Sequence, residues 1–254
     1  MIPIRTNEEI EKIRRAAELV ARTLDLVQGM AEPGVTTAEL DHAAQNFIES
    51  EGARPAFLGY RGFPATLCVS IDDEVVHGIP GDRELSVGMI VSVDVGTVID
   101  DYYGDGARTM AVGVVSADAK RLMRVTQDAL AAGISAAIPG NRVGAIGAAV
   151  SAVAEAAGVG VVRALTGHGI GTQMHEPPQI PNFGSPKEGE HIEAGMVFAI
   201  EPMLNQGDHE VDFGSDGWTV RTKDGSLSAH FEHTVAVRED GPEILTRVAH
   251  VAHG

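Results

Sequence analysis

Five residues, Asp94, Asp105, His168, Glu201 and Glu232, are of types that hold metal ions, and each stands in an apolar or glycine-rich stretch where a bare charge is costly. Asp94 interrupts the run Met-Ile-Val-Ser-Val-Asp-Val at 89–95. Glu201 follows Val-Phe-Ala-Ile at 197–200, and Glu232 lies in Ser-Ala-His-Phe-Glu-His-Thr-Val-Ala-Val at 228–237. A carboxylate in a low-dielectric interior either takes up a proton or finds a cation. Four of them in one fold would repel one another, so either they lie apart or divalent cations hold them together. A lone Asp in a strand is commonly an edge or turn residue; five candidates together favour the metal reading, and with it a hydrolytic enzyme.

Four carboxylates and one imidazole make a hard donor set, suited to Mn, Fe(II), Co or Zn. Two ions fit better than one, because their four positive charges match the four carboxylates. Ions about 3.5–4 Å apart can activate a shared hydroxide while binding a substrate carbonyl or amine. His168 sits in Gly-His-Gly-Ile-Gly at 167–171, where glycines let the backbone approach a neighbour closely. His175 precedes Glu176 and the pair Pro177-Pro178, which excludes a helical His-Glu-x-x-His motif. His77, between an apolar run and Gly78, reads by itself as a core or turn histidine. Other chemistries find no footing, since neither a Gly-x-Ser-x-Gly elbow nor a phosphate loop occurs. Cys68, flanked by Leu67 and Val69, reads as a buried, inert thiol.

The elements that must position these groups come in two similar rounds. Thr6 with Glu9 forms a capping box for a helix whose Ile10, Ile13, Ala17, Val20, Leu24 and Val27 fall at helical spacing, closed near Gly29. Thr36 with Glu39 opens a second, with Leu40, Ala43, Ala44 and Phe47 as its inner stripe and Gly52 as its end. Strand-like runs follow at 66–71, 89–95, 97–102 and 108–115. The order then restarts, with helices from Ser116 to Gly133 and Val143 to Ala157, and strand-like runs at 161–165, 196–201, 218–222 and 228–237. The proline-rich stretch 176–195 reads as a surface loop between the halves. This pattern predicts an α+β fold in one catalytic domain over 1–254, made of pseudo-repeat halves at about 1–115 and 116–254, with the site between them.

The 254 residues suffice for a sizeable core. Nineteen Lys and Arg against 36 Asp and Glu give a formal charge of −17, which argues against nucleic acid as a direct substrate. The single cysteine excludes an internal disulfide and fits a reducing, cytoplasmic setting. The N-terminus lacks the basic-then-apolar pattern of a signal peptide. The most lipid-like stretch, 145–162, is mostly Ala and Gly and carries Glu155, so a membrane span is not expected.

The strings VHGIP (76–80), SVDVG (92–96), YGDGART (103–109), GHGIG (167–171), HEPPQIPNFG (175–184), FAIEPML (198–204) and SAHFEHT (228–234) together resemble a type I methionine aminopeptidase, over almost the whole chain. That resemblance implies the pseudo-twofold "pita-bread" fold, a central antiparallel sheet flanked by helices with a dinuclear metal site between the halves. It implies that Asp94 chelates one ion, that Asp105 and Glu232 bridge both, and that His168 and Glu201 bind the second. A bridging hydroxide would attack the first peptide carbonyl, with Glu201 as proton shuttle, His175 stabilising the oxyanion and His77 holding the scissile amide. Tyr60, Phe63, Cys68, His77, Met174 and Trp218 would line the methionine pocket. Phe57, Phe63 and Met174 depart from the commoner cysteine, tyrosine and phenylalanine, which alters the pocket's shape but not the reaction. The substrates implied are nascent polypeptide N-termini with a small second residue, acted on by a monomer in transient contact with ribosomes, although no basic patch in the sequence argues for that contact.

Three rivals remain in view. A prolidase or aminopeptidase P has similar ligands but typically an extra N-terminal domain. A type II methionine enzyme needs a helical insert for which the stretch between Glu201 and Glu232 is too short. A non-catalytic binding protein on this fold would have lost its ligand set.

Overall fold

The computed structural model describes residues 1–247. Both capping boxes form. The Thr6 side chain accepts the Glu9 N–H at 3.2 Å and the Glu9 carboxylate accepts the Thr6 N–H at 2.9 Å, and Thr36 and Glu39 repeat the exchange. Each box satisfies two donors that a helix start leaves orphaned, stabilising by about 1 kcal/mol. They open α1 (Asn7–Met30) and α2 (Thr37–Ser50); α3 (Ala117–Ala136) and α4 (Val143–Ala157) follow. No helix among the described residues is long and apolar enough to cross a membrane.

Each helix pair covers antiparallel sheet. Val20, Leu24 and Val27 of α1 and Leu40, Ala44 and Ile48 of α2 pack with Leu67, Val69, Val91, Val93 and Val95. Leu122 and Ala129 of α3 and Ile146 and Val150 of α4 pack with Phe198, Ile200, Val235 and Val237. The first sheet joins Arg54–Pro55, Ile90–Ile99 and Leu67–Ile71, with Tyr102–Ala111 also on Ile90–Ile99. The second, five-stranded, runs in the order Gly241–Ile244, His233–Arg238, Val197–Ile200, Gly167–Gly169 and Glu176–Ile180. Two three-stranded sheets complete the fold. The one built on Met203–Asn205 includes Gly160–Val161 and Ser228–His230, and the other joins Glu74–Val76, Val220–Thr222 and Val211–Phe213.

Several boundaries differ from the sequence reading, for physical reasons. The run expected as two strands at 89–95 and 97–102 is one strand, Ile90–Ile99, passing through Gly96. Its partner Tyr102–Ala111 starts earlier than the run at 108–115 and carries Asp105 inside it. The stretch 176–195 is not all loop, because Glu176–Ile180 pairs with Gly167–Gly169. It is the outermost strand of its sheet, where prolines withhold no ladder donor from an inner neighbour. The run at 228–237 breaks at Phe231-Glu232, where the chain leaves Met203–Asn205 and joins Val197–Ile200. The opposite pair of segments breaks at Glu201-Pro202, so both glutamates stand where the chain crosses between sheets. The run at 161–165 is paired only at Gly160–Val161.

Gly104, one residue before Asp105, shows how closely α1 rests on the strand: a Cβ there would press on the Ala17 backbone nitrogen and lie 2.6 Å from the Ala17 Cα. Neither atom can yield without moving the helix. Gly104→Ala is expected to cost about 3 kcal/mol and lower the melting temperature by roughly 6–12 °C. An unchanged melting curve would show that α1 floats.

Candidate metal centre

Strand alternation puts Asp94 and Asp105 on one face. Asp105 lies opposite Gly96, two residues from Asp94, while Val93 and Val95 turn to the helix-covered face. Cys68 pairs with Asp94 from the other side. The chain entering the second sheet closes over this face through hydrogen bonds to the backbone of Asp105 and Ala107. The Glu232 N–H donates to the Ala107 carbonyl at 3.0 Å, the Asp105 N–H donates to the Thr234 hydroxyl at 3.0 Å, and that hydroxyl donates to the Asp105 carbonyl at 2.8 Å. His168, opposite Ala199, shares a face with Glu201, two residues further on. The glycines flanking His168 allow this crowding, since a Cβ on Gly167 would strike the Ala199 carbonyl and one on Gly169 the Pro177 carbonyl.

Ligand atoms of Asp105, His168 and Glu232 lie within 4.8 Å of one another, all three residues buried. The His168 Nδ1 sits 2.9 Å from the Gly169 carbonyl, an acceptor only, so Nδ1 carries the proton. The bare Nε2 then faces carboxylates, 3.6 Å from Asp105 Oδ2 and 3.5 Å from Glu201 Oε1. A neutral imidazole with its second nitrogen fixed by a carbonyl is the form that binds metal. Asp94 Oδ1 and Glu232 Oε1 are buried with no hydrogen-bond partner. Burial pushes the Asp105 carboxyl up to about 8, and burial followed by mutual repulsion raises Asp94, Glu201 and Glu232. Orphaned carboxylate oxygens, mutual repulsion and a bare Nε2 are all answered by divalent cations, so the residues present fit them.

This acid cluster opens into a cavity of 170 Å³. Its far side is apolar, with Phe63, Cys68 and Met174 buried and Trp218 edge-on to Phe63 at 5.0 Å between ring centres. His77 and His175 also line it, as do Tyr60, Asp94, Asp105, His168, Glu201 and Glu232, so every residue singled out in the sequence borders one space. The Tyr60 hydroxyl lies 2.9 Å from His175 Nδ1, and the His175 ring is 4.3 Å from that of His168. Burial pushes His175 down to about 4 and lowers His77, so both are neutral at neutral pH. His77 takes φ 60, a left-handed conformation rare outside glycine and of the kind stored at functional sites.

The profile of metallopeptidase family M24 matches residues 11–239. The chain belongs to that family. A methionine aminopeptidase from Clostridium acetobutylicum is 48% identical over 247 residues, covering 97% of this chain and 99% of the relative. The crystal structure of methionine aminopeptidase from Rickettsia prowazekii superposes with TM-score 0.96 at 46% identity, over 97% of this chain and 100% of that one. The enzyme from Thermotoga maritima gives TM-score 0.96 at 43% identity, over 97% and 100%. The pita-bread fold expected from the motifs is therefore the fold of this M24 chain.

Three residues at the M24 site escaped the sequence reading. Arg61 borders the cavity mouth, with Cζ 5.3 Å from the Tyr60 ring centre. His230, buried, has its Nε2 3.9 Å from Glu201 Oε2 and neither ring nitrogen hydrogen-bonded. Glu176 is buried one residue after His175. His230 and Glu176 lay inside the quoted strings SAHFEHT and HEPPQIPNFG, where Glu232 and His175 were the residues given roles.

The raised carboxyls give the metal-free protein a pH dependence. Asp105 keeps a proton in the fold that the unfolded chain loses near pH 4, so between about pH 4 and about pH 8 each increment of pH favours unfolding. His168 and His175, held down at about 4, and His230, at about 3, act in the opposite direction up to the unfolded value near 6.5, so the melting temperature of chelator-stripped protein is expected to fall between about pH 7 and about pH 8, and added Mn to restore it with release of protons. A melting temperature rising across that window would contradict the assignment.

Proposed function

We propose that this M24 chain is a single catalytic unit that removes N-terminal methionine from polypeptides whose second residue is small. The observation that carries the reading is the direct opening of the acid cluster into an apolar cup of one side chain's size. Asp94 would hold one ion, Asp105 and Glu232 both, and His168 and Glu201 the second. Bound there, two divalent ions supply a water of lowered pKa and positive charge for the carbonyl oxygen. Phe63, Cys68, Met174, Tyr60 and Trp218 receive the thioether, which a polarizable, flexible side chain fills well. Glu201 takes the proton of the attacking water and passes it towards the departing amine. In the tautomer this reading requires, the Tyr60 hydroxyl, 2.9 Å from His175 Nδ1, donates to it and leaves an Nε2–H for the carbonyl oxygen as it gains charge. His77 hydrogen-bonds the scissile amide and helps protonate the leaving group.

The likeness to methionine aminopeptidases supports action on the N-termini of nascent chains, by a cytoplasmic monomer met transiently at the ribosome. Co, Mn, Fe(II) and Zn all suit the ligands. A panel of Met-X peptides tests the specificity: cleavage is expected for X of Gly, Ala, Ser or Pro and at least about a hundredfold less for Leu or Arg. Equal cleavage before Leu or Arg would contradict the reading.

A further inference from the structure

Glu176 follows His175 directly and is buried, yet the proposed reaction gives its carboxylate no task. Its Oε1 accepts the backbone N–H of Thr172 at 2.8 Å and of Gln173 at 3.0 Å, the Thr172 hydroxyl at 3.1 Å, and Arg5 Nη2 at 2.6 Å. Oε2 takes the same guanidinium at 2.5 Å. Arg5 comes from the segment before α1, 171 positions away, and the two side chains are 9% and 6% exposed. Arg5 is itself held, its N–H donating to the Gly195 carbonyl at 2.8 Å and its guanidinium lying 3.5 Å from Glu9 Oε1. A Cβ on Gly171 would meet Arg5 Nη2 at 2.5 Å, so glycine there is what lets the guanidinium in. The Gly171 carbonyl in turn accepts the Tyr103 N–H at 2.8 Å, from the strand that carries Asp105.

We propose that Arg5 and Glu176 form a clamp that sets His175 and Met174 against the metal centre, which makes Arg5 a positioning residue supplied by the N-terminal segment. The inference rests on the roles proposed above for those two residues. Residues 171–175 belong to no strand or helix, and beyond the bond from Tyr103 to the Gly171 carbonyl it is the carboxylate gathering the Thr172 and Gln173 donors that fixes the chain path. That path holds the His175 ring to the Tyr60 hydroxyl and beside His168. Four of the five proposed metal ligands sit on other elements; His168 lies on the strand paired with Glu176–Ile180, a pairing made by backbone groups that side-chain changes leave in place.

Removing Arg5 alone would strand a buried carboxylate and endanger the fold. The test therefore removes both charges, as Arg5→Met with Glu176→Leu, beside Arg5→Lys, which keeps the charge but not the two-pronged donor. The double variant is expected to fold with a melting temperature close to wild type and to bind Mn by calorimetry within about threefold, while kcat on Met-Gly peptides falls on the order of 100-fold. Arg5→Lys should fall between the two. In histidine-selective 15N spectra the His175 signals should move and those of His77 should not. A double variant with kcat within about twofold of wild type, or with unmoved His175 signals, overturns the clamp; so does a loss of kcat matched by equal loss of fold or metal, which marks a merely structural pair. Should wild-type protein release no methionine, the proposed function fails, and the His175 spectrum still decides the clamp.

Discussion

Asp105→Ala is expected to abolish hydrolysis and to weaken binding of at least one ion by more than about a hundredfold, beyond the effect of changes that only orient a ligand. Asp105 is the most central of the carboxylates, with His168 Nε2 3.6 Å from its Oδ2 and with its charge contributing to the raised carboxyls of Asp94, Glu201 and Glu232. Its backbone bonds to Thr234 do not involve the side chain, so the two sheets stay joined in the variant. Removing a carboxyl that must stay protonated in the metal-free fold should also raise the melting temperature of the metal-stripped protein near pH 7. The two effects have opposite signs, which separates loss of function from loss of fold. Asp105→Asn, nearly the same shape without the charge, should behave alike. Calorimetric Mn titration and thermal unfolding in chelator check both; metal-replete activity near wild type would contradict the ligand assignment.

His175→Ala is expected to lower kcat by about 10²- to 10³-fold while Mn binding stays within about threefold of wild type. Removing a single donor to a developing oxyanion has that magnitude elsewhere, and here the donor is held in one orientation by Tyr60 at 2.9 Å. Because burial holds His175 down at about 4, its loss should not alter the shape of the activity profile between about pH 6 and about pH 8. Tyr60→Phe should cost less, about tenfold, since it frees the ring without removing it. A His175→Ala variant that loses metal in proportion to activity would place the residue among the ligands instead.

The five candidate ligands stood out in the sequence because each carboxylate broke an apolar run or a glycine-rich turn, and burying such a group needs a reason that a short window displays. The helices were legible for a similar reason: Thr6 with Glu9 and Thr36 with Glu39 are local exchanges. The pocket residues came from the family resemblance and not from spacing, since Tyr60, Phe63 and Trp218 meet only when Val220–Thr222 pairs with the strand ending just before His77. Strand ends were least legible. Pro177 and Pro178 argued for a loop, and only their place at a sheet edge makes a strand possible. The break at Phe231-Glu232 follows from which sheet each half joins. The pairing of Arg5 with Glu176 left no trace, because nothing within either neighbourhood points to a partner 171 positions away.

The central claim is that this M24 fold holds catalytic divalent ions beside a pocket for methionine. Its most direct test is mass spectrometry of Met-Gly and Ala-Pro peptides incubated with chelator-stripped protein, with and without added Mn or Co. The account predicts loss of methionine alone, and only when metal is present. Cleavage confined to the bond before proline would place the chain with prolidases, and no cleavage by protein that has bound the metal would contradict the claim.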